Sequence, residues 1–337
     1  MSDKPSTSTS KTLVVRDDKT TALSTDLAQA AQRAAAFVAQ SVPENTRRAY
    51  AADWGVFTNW CRKNRVESMP ADPRIVAAFC AEEAKRLKPS SIRRRLAAIA
   101  KMHSVRGLPN PCAAEPVPST IRGIEGTLGS RVVAKAPATL DVVERMVATC
   151  RTDTLEGLRN RALVLVGYAA ALRRSELVGI HVEDLTWSDT GVTMLLRHSK
   201  TDQRGLGQLK AIPYVDGSLC AAKSLKGWLQ ASGTRAGPVF RGFTVAGSLR
   251  PTALTPQAIA VLIKSLAASA GLDPAQFSGH SLRAGHVTQA RASGVADSLT
   301  MQTTGHKRLE TLEMYDRRNN PFDKSSAGQV LGGAKKG

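Results

Sequence analysis

The sequence predicts a mainly α protein with a small antiparallel β-sheet, divided into an all-α N-terminal domain and an α+β C-terminal domain. Three observations predict this. The chain has 337 residues, more than a single core usually fills. Apolar residues recur at three- and four-residue steps through most of its length, the signature of amphipathic helices. Only two short segments, 191–197 (GVTMLLR) and 209–215 (LKAIPYV), alternate in a way that suits a hairpin. Hydrophobic residues at 42% and charged residues at 22% are ordinary globular proportions.

The elements follow in order. Residues 1–22, rich in Ser, Thr, Lys and Asp and without periodicity, read as a disordered N-terminal arm. An Ala-rich helix is expected over 25–40. After the start signal Ser41-Val42-Pro43-Glu44, the residues Tyr50, Trp54, Phe57 and Cys61 form one core-facing stripe, with Arg47, Arg48 and Arg62 on the opposite side. A further helix covers 72–87. The next starts near Pro89 and carries Arg93, Arg94, Arg95 and Lys101 around a core face of Ile92, Leu96, Ile99 and Met102. After the GLPNP breaker at 107–111 a last helix covers 118–128, which completes a helical domain over 23–129. Gly, Pro and basic residues interrupt the periodicity next, and 130–137 reads as a linker. The second domain, 138–320, opens with helices over 139–150 and 156–177, continues through the hairpin, and returns to helix after 216. A Gly-rich, basic tail occupies 321–337. No internal repeat appears.

Lys and Arg number 47 against 28 Asp and Glu, a net charge of +19 that repels itself unless a polyanion neutralises it. Nucleic acid is the leading expected partner, with a membrane surface as the rival polyanion. The longest apolar run, 162–172, is well short of the roughly 20 residues of a spanning helix. The polar N-terminus lacks the apolar stretch of a secretory signal, so a cytoplasmic location is expected. Five scattered cysteines without a CxxC pair fit neither a disulfide framework nor a zinc site and read as reduced packing residues.

Four stretches place polar residues where packing alone does not ask for them: ALRRSEL at 171–177, RHSKTD at 197–202, GHSLRAG at 279–285 and GHKRLETLEMY at 305–315. Each has a bland reading. Arg173 and Glu176 make an ordinary helical ion pair, Lys200 is a loop lysine, His280 and Arg283 are a helix start and a surface charge, and His306 and Tyr315 are structural. His286 is assigned a structural role. Together, however, two Arg, a Lys, two His and a Tyr are the parts for metal-free phosphodiester cleavage. Guanidinium forks from Arg173 and Arg283 clamp the charge that grows on the non-bridging oxygens. A tyrosine near cations is a competent nucleophile, and a lysine on a flexible turn can protonate the departing 5′ oxygen. His280 and His306 can donate to the phosphate or move the tyrosine proton. This chemistry calls for no metal, nucleotide or other cofactor.

The order Arg173, Lys200, His280-Ser-Leu-Arg283, Gly305-His306 and Tyr315 resembles the tyrosine recombinase (phage integrase) family, whose motif is Arg, Lys, His-x-x-Arg, His or Trp, and Tyr. Residues 59–79, 101–111, 153–177 and 277–295 are similar to family members in wording and spacing, and the resemblance covers roughly 42–318. It implies that 23–129 is a core-binding domain and 138–320 a tyrosine-recombinase catalytic domain, the two forming a C-shaped clamp on DNA. It also narrows the partner to double-stranded DNA, with no membrane and no small-molecule substrate, and implies a homotetramer on two DNA sites, each an inverted-repeat recombination site. By the same resemblance Arg173, His280 and Arg283 hold the scissile phosphate, Glu176 supports them, Lys200 protonates the leaving oxygen and Tyr315 attacks. His306 stands where members carry His or Trp. The helices with Arg47, Arg48, Arg93, Arg94 and Lys101 would contact DNA, and Gln257 occupies a base-reading position, where its amide suits adenine. The tail would dock on a neighbouring protomer through AGQVL at 327–331. The implied function is site-specific recombination through a 3′-phosphotyrosyl intermediate and a Holliday junction, in a bacterial, plasmid- or phage-encoded and nucleoid-associated enzyme. A type IB topoisomerase and a non-catalytic DNA-binding protein are the alternatives.

Overall fold

The computed structural model describes residues 29–30, 32–34, 37, 44–129, 135–197 and 207–313. Lys200, Tyr315, the 321–337 tail, and much of the 25–40 helix and the 130–137 linker lie outside the described residues. The chain separates into two compact units, residues 1–132 and 133–337.

The described part of the first unit is helical: α1 (Glu44–Lys63), α2 (Pro73–Ala84), α3 (Pro89–Val105) and α4 (Val117–Leu128). Asp72 starts α2, its carboxylate accepting the Arg74 N–H at 2.7 Å ahead of Pro73, a residue whose missing N–H costs nothing in a first turn. The stripe on α1 buries Phe57 and Cys61 against Phe79, Ile92 and Ile99. Phe57 and Phe79 stack edge to face at 5.1 Å and Trp60 joins Phe79 at 5.4 Å, so aromatic packing closes this small core. His103 lies inside it, fully satisfied: Nδ1 donates to the Ile99 carbonyl and Nε2 accepts the Ala71 N–H, both at 2.9 Å.

One expectation fails here. Arg95 was expected outside the core face, yet it is buried and paired with Glu83, with Asp53 also near at 3.7 Å. Three consecutive arginines sweep more than half of a helix's circumference, so one turns inward, and two buried carboxylates meet it there.

The second unit contains α5 (Leu140–Ala148), α6 (Leu155–Ala169), α7 (Arg174–Val178), β1 (Leu185–Ser188), β2 (Gly191–Leu196), β3 (Gln208–Pro213) and α8 (Ala221–Ser232). After these come β4 (Arg241–Phe243), β5 (Leu249–Ala253), α9 (Pro256–Ser269), α10 (Ser281–Ala292), α11 (Asp297–Thr304) and α12 (Leu309–Glu313). The apolar run starting at 162 is the centre of α6, and Ala162 through Val166 are all buried in the main core. The strands form an antiparallel sheet in the order β1-β2-β3 and a separate β4-β5 pair. Pairing Met194 with Lys210 and Leu195 with Leu209 turns Lys210 toward the interior and leaves Leu209 71% exposed.

Two readings are corrected. The helix expected over 156–177 is two helices: α6 stops at Ala169, Ala171 takes a left-handed φ of 50°, and α7 begins at Arg174. The hairpin gains a third strand, and a second sheet appears after 216, because β1 and β5 are largely exposed and show no alternation. The cysteines are free, and burial pushes Cys80 and Cys112 up to about 12, leaving inert thiols. Among the described residues no helix is long and apolar enough to cross a membrane.

Candidate active site

The break between α6 and α7 builds the first wall of the site. Its strained residue, Ala171, directs a carbonyl at Arg283, whose Nη1 donates to it at 2.7 Å. Arg173 heads α7. Its backbone N–H donates to Glu176 Oε2 at 2.8 Å, and its guanidinium donates to Oε1 at 2.5 Å. Glu176 is buried; burial pushes its carboxyl up, but the Arg173 hydrogen bonds and the charges of Arg173 and Arg283 outweigh this and hold it below the usual range. A buried anion thus orients Arg173 and shares its charge with Arg283.

Arg283 lies in the first turn of α10 and is only 1% exposed. His280 precedes that helix, exposed, three residues before Arg283 and so close to its face. The glycine of the LRAG stretch has a packing cause: a Cβ on Gly285 would overlap the Ala138 carbonyl, while the Ala138 N–H donates to the Ser281 carbonyl at 2.8 Å. Only glycine lets α10 seat against this segment.

His306 follows α11, which Gly305 ends in a left-handed conformation, φ 71°. A guanidinium has no acceptor, so at 2.9 Å from Arg283 Nη2 the His306 Nε2 must carry the lone pair. Its proton therefore lies on Nδ1, which donates to Thr304 Oγ1 at 3.0 Å, while that hydroxyl donates to the Thr300 carbonyl at 2.7 Å. Burial, and then the positive charges of Arg283, Arg173 and Lys210, lower its pKa to about 4. His306 is a neutral acceptor that orients Arg283 in this structure.

Arg173, Glu176, Arg283 and His306, spread over the chain, thus converge in one polar cluster. Lys200 and Tyr315 fall outside the described residues. The described chain runs close to both in sequence: Arg197, three residues before Lys200, is fixed to buried Asp184 at 2.6 Å, and α12 ends at Glu313, two residues before Tyr315. His286 is largely buried, with its ring edge-on to Tyr168 at 5.8 Å, as a structural histidine would be.

Lys210 was missed by sequence reasoning. It is 4% exposed, and its Nζ donates to the Thr303 carbonyl, beside His306. Its signal in the sequence is a lysine in the inward register of a strand, which becomes visible only when the register is known.

The expected DNA-facing residues are exposed, and several already hold partners. Arg47 and Arg48 pair with Glu44, Arg93 forks onto Glu125 at 2.5 and 2.8 Å, and Arg94 forks onto buried Asp53 at 2.7 and 3.0 Å. Lys101 is exposed, as is Gln257 in the first turn of α9. Among the described residues no group of three or more His, Cys, Asp or Glu could hold a metal ion.

Comparison with known proteins fits this arrangement. The phage integrase family domain matches residues 138–321. An integrase/recombinase XerD homolog of Selenomonas ruminantium is 36% identical over 288 residues, covering 84% of each chain. The recombinase Cre of Escherichia phage P1 is 25% identical over 279 residues, 77% of this chain and 79% of the relative. The lambda integrase (75–356) dimer bound to a COC′ core site shares the fold with a TM-score of 0.59 at 15% identity, covering 87% of this chain and 96% of that one. From the family domain and the Selenomonas relative together, the chain belongs to the phage integrase family, the tyrosine recombinases.

Proposed function

We propose a course for the site-specific DNA recombination that this family carries out, with Tyr315 as nucleophile. The observation that carries it is the Arg173–Glu176–Arg283–His306 cluster: two guanidiniums fixed by one buried carboxylate and one neutral histidine, with cationic charge in excess. Such preorganised donors suit the anionic oxygens of a phosphodiester at its transition state.

Tyr315 Oη attacks the phosphorus and the bond to the 5′ oxygen breaks. Lys200 gives that oxygen its proton, and His280, exposed just ahead of the helix that carries Arg283, takes the proton of the tyrosine. His306 keeps Arg283 aimed throughout. The 5′ hydroxyl of the partner duplex then attacks the 3′-phosphotyrosyl ester, expelling Tyr315 and sealing the exchanged strand. A second round at the other strand pair resolves the Holliday junction. The ester retains the energy of the broken bond, so each step is nearly isoenergetic and no nucleotide is consumed.

Four protomers would act on two duplexes, each carrying an inverted repeat, with residues 23–129 as the core-binding domain, 138–320 as the catalytic domain and 321–337 as a docking tail. Arg47, Arg48, Arg93, Arg94 and Lys101 would exchange carboxylates for phosphates, with Gln257 reading a base. The setting is the bacterial cytoplasm, on the nucleoid.

The test uses a pool of nicked duplexes of randomised sequence, in which cleavage releases a short strand and traps the covalent complex. A denaturant-resistant adduct, and recombinant joints when two selected sites are present, is the expected result. Adduct with supercoil relaxation but no joints would make it a topoisomerase; binding without adduct would make it a DNA-binding protein only.

A further inference from the structure

We infer that Lys210 is a positioning residue for the cleavage site, holding the end of the helix Asp297–Thr304 and, through His306, the aim of Arg283. The inference rests on the recombination chemistry proposed above.

The geometry is a short relay. β3 directs Gln208, Lys210 and Ile212 to one face, and the first two reach carbonyls at the end of α11: Lys210 Nζ donates to Thr303, and Gln208 Nε2 donates to Gln302 at 3.4 Å. The last carbonyls of a helix have no partner within it and carry partial negative charge, so an ammonium is a fitting cap. The next residues are Thr304, whose hydroxyl accepts from His306 Nδ1, and Gly305, where a Cβ would lie 2.9 Å from Gln208 Oε1. His306 Nε2 then accepts from Arg283. Movement of the Thr303 carbonyl therefore displaces the ring that aims the guanidinium.

The position is costly for a lysine. It faces Arg173 and Glu176 at α7, Arg283 and His286 on α10, and His306 after α11; of these charged groups only Glu176 attracts it. Burial first, and then Arg283 and Arg173, lower its pKa to about 8 despite Glu176. Methionine would fill the same space without desolvating a charge. A costly buried charge in contact with the site's own framework points to function rather than packing. In the sequence β3 follows residue 200 and the helix Asp297–Thr304 precedes residue 315, so this contact joins the two stretches of chain next to the proposed general acid and nucleophile.

The experiment compares wild type, Lys210→Met and Lys210→Arg. Hydrogen exchange over 300–306 is read without DNA, and adduct formation on the nicked duplexes is read across pH. The Met variant is expected to bind DNA as wild type, to exchange faster at 300–306, and to cleave about tenfold more slowly, as small misplacements of catalytic groups do. The Arg variant is expected to cleave like wild type at neutral pH and to keep its rate above about pH 8, where wild type declines as Lys210 loses its proton. Unchanged exchange at 300–306 in a folded Met variant, or wild-type cleavage by it, overturns the inference. If the Met variant lacks a cooperative melt, the Arg profile decides: loss of the alkaline decline supports the inference and an unaltered profile overturns it. Failure of wild type to form adduct would instead count against the recombination chemistry, and the exchange measurement would still judge Lys210.

Discussion

Arg283 is fixed before any DNA arrives, by the Ala171 carbonyl on one side and His306 on the other. Replacing it with Ala is expected to slow adduct formation roughly 10²–10³-fold, about 2.7–4 kcal/mol, as for other preorganised donors. Lys should not restore the rate, because a point charge cannot reproduce the fork. Single-turnover cleavage checks both, and a rate near wild type in the Ala variant would remove Arg283 from the site. His306 makes a pH prediction. Its folded pKa of about 4 lies below the ordinary 6.5, so between these values the unfolded chain holds a proton that the folded chain does not. Stability therefore rises with pH from about 4 to 6.5 through this group and is flat above, with a slope of at most about 1.4 kcal/mol per pH unit. Urea unfolding is expected to show this slope and His306→Gln to lose its share; equal slopes would contradict a neutral His306. The residue types of the cluster were legible from their order alone. The direction of the His306–Arg283 bond was not, since it depends on a tautomer that only neighbours define.

Among the elements, the long helices were legible because apolar stripes such as Tyr50, Trp54, Phe57 and Cys61 repeat at helical spacing. The break after Ala169 was not: Ala169, Ala170, Ala171 and Leu172 contain no glycine or proline, and one long-range bond, from Arg283 to the Ala171 carbonyl, supports the strained turn. The strand β3 was recognised but its facing was not, since Leu209 faces outward and Lys210 inward, the reverse of the usual preference. Two packing predictions belong here. Gly285→Ala is expected to push α10 off Ala138 and cost about 1–3 kcal/mol by overpacking, read by urea unfolding. Glu83→Gln leaves Arg95 without its closest buried anion and is expected to destabilise the first unit by about 3–5 kcal/mol, with Asp53 at 3.7 Å lessening the loss. Wild-type melting of either variant would refute the contact it tests.

For the whole molecule, the net charge of +19 was legible at once and favours a polyanionic partner. Arg47, Arg48, Arg93 and Arg94 already hold carboxylates, so on the proposal that they contact phosphates DNA binding would be an exchange of partners, and its affinity is expected to fall with salt at a log–log slope near −0.9 per phosphate neutralised. A flat response in a salt titration would contradict this. The central claim is narrower: one phenol, brought to a cluster built from distant parts of the chain, becomes covalently joined to a broken strand. Mass spectrometry of the trapped adduct after nuclease and protease digestion tests it most directly. The account predicts a nucleotide on the peptide containing residue 315, absent from Tyr315→Phe; a nucleotide on any other residue, or an adduct that persists in that variant, would contradict it.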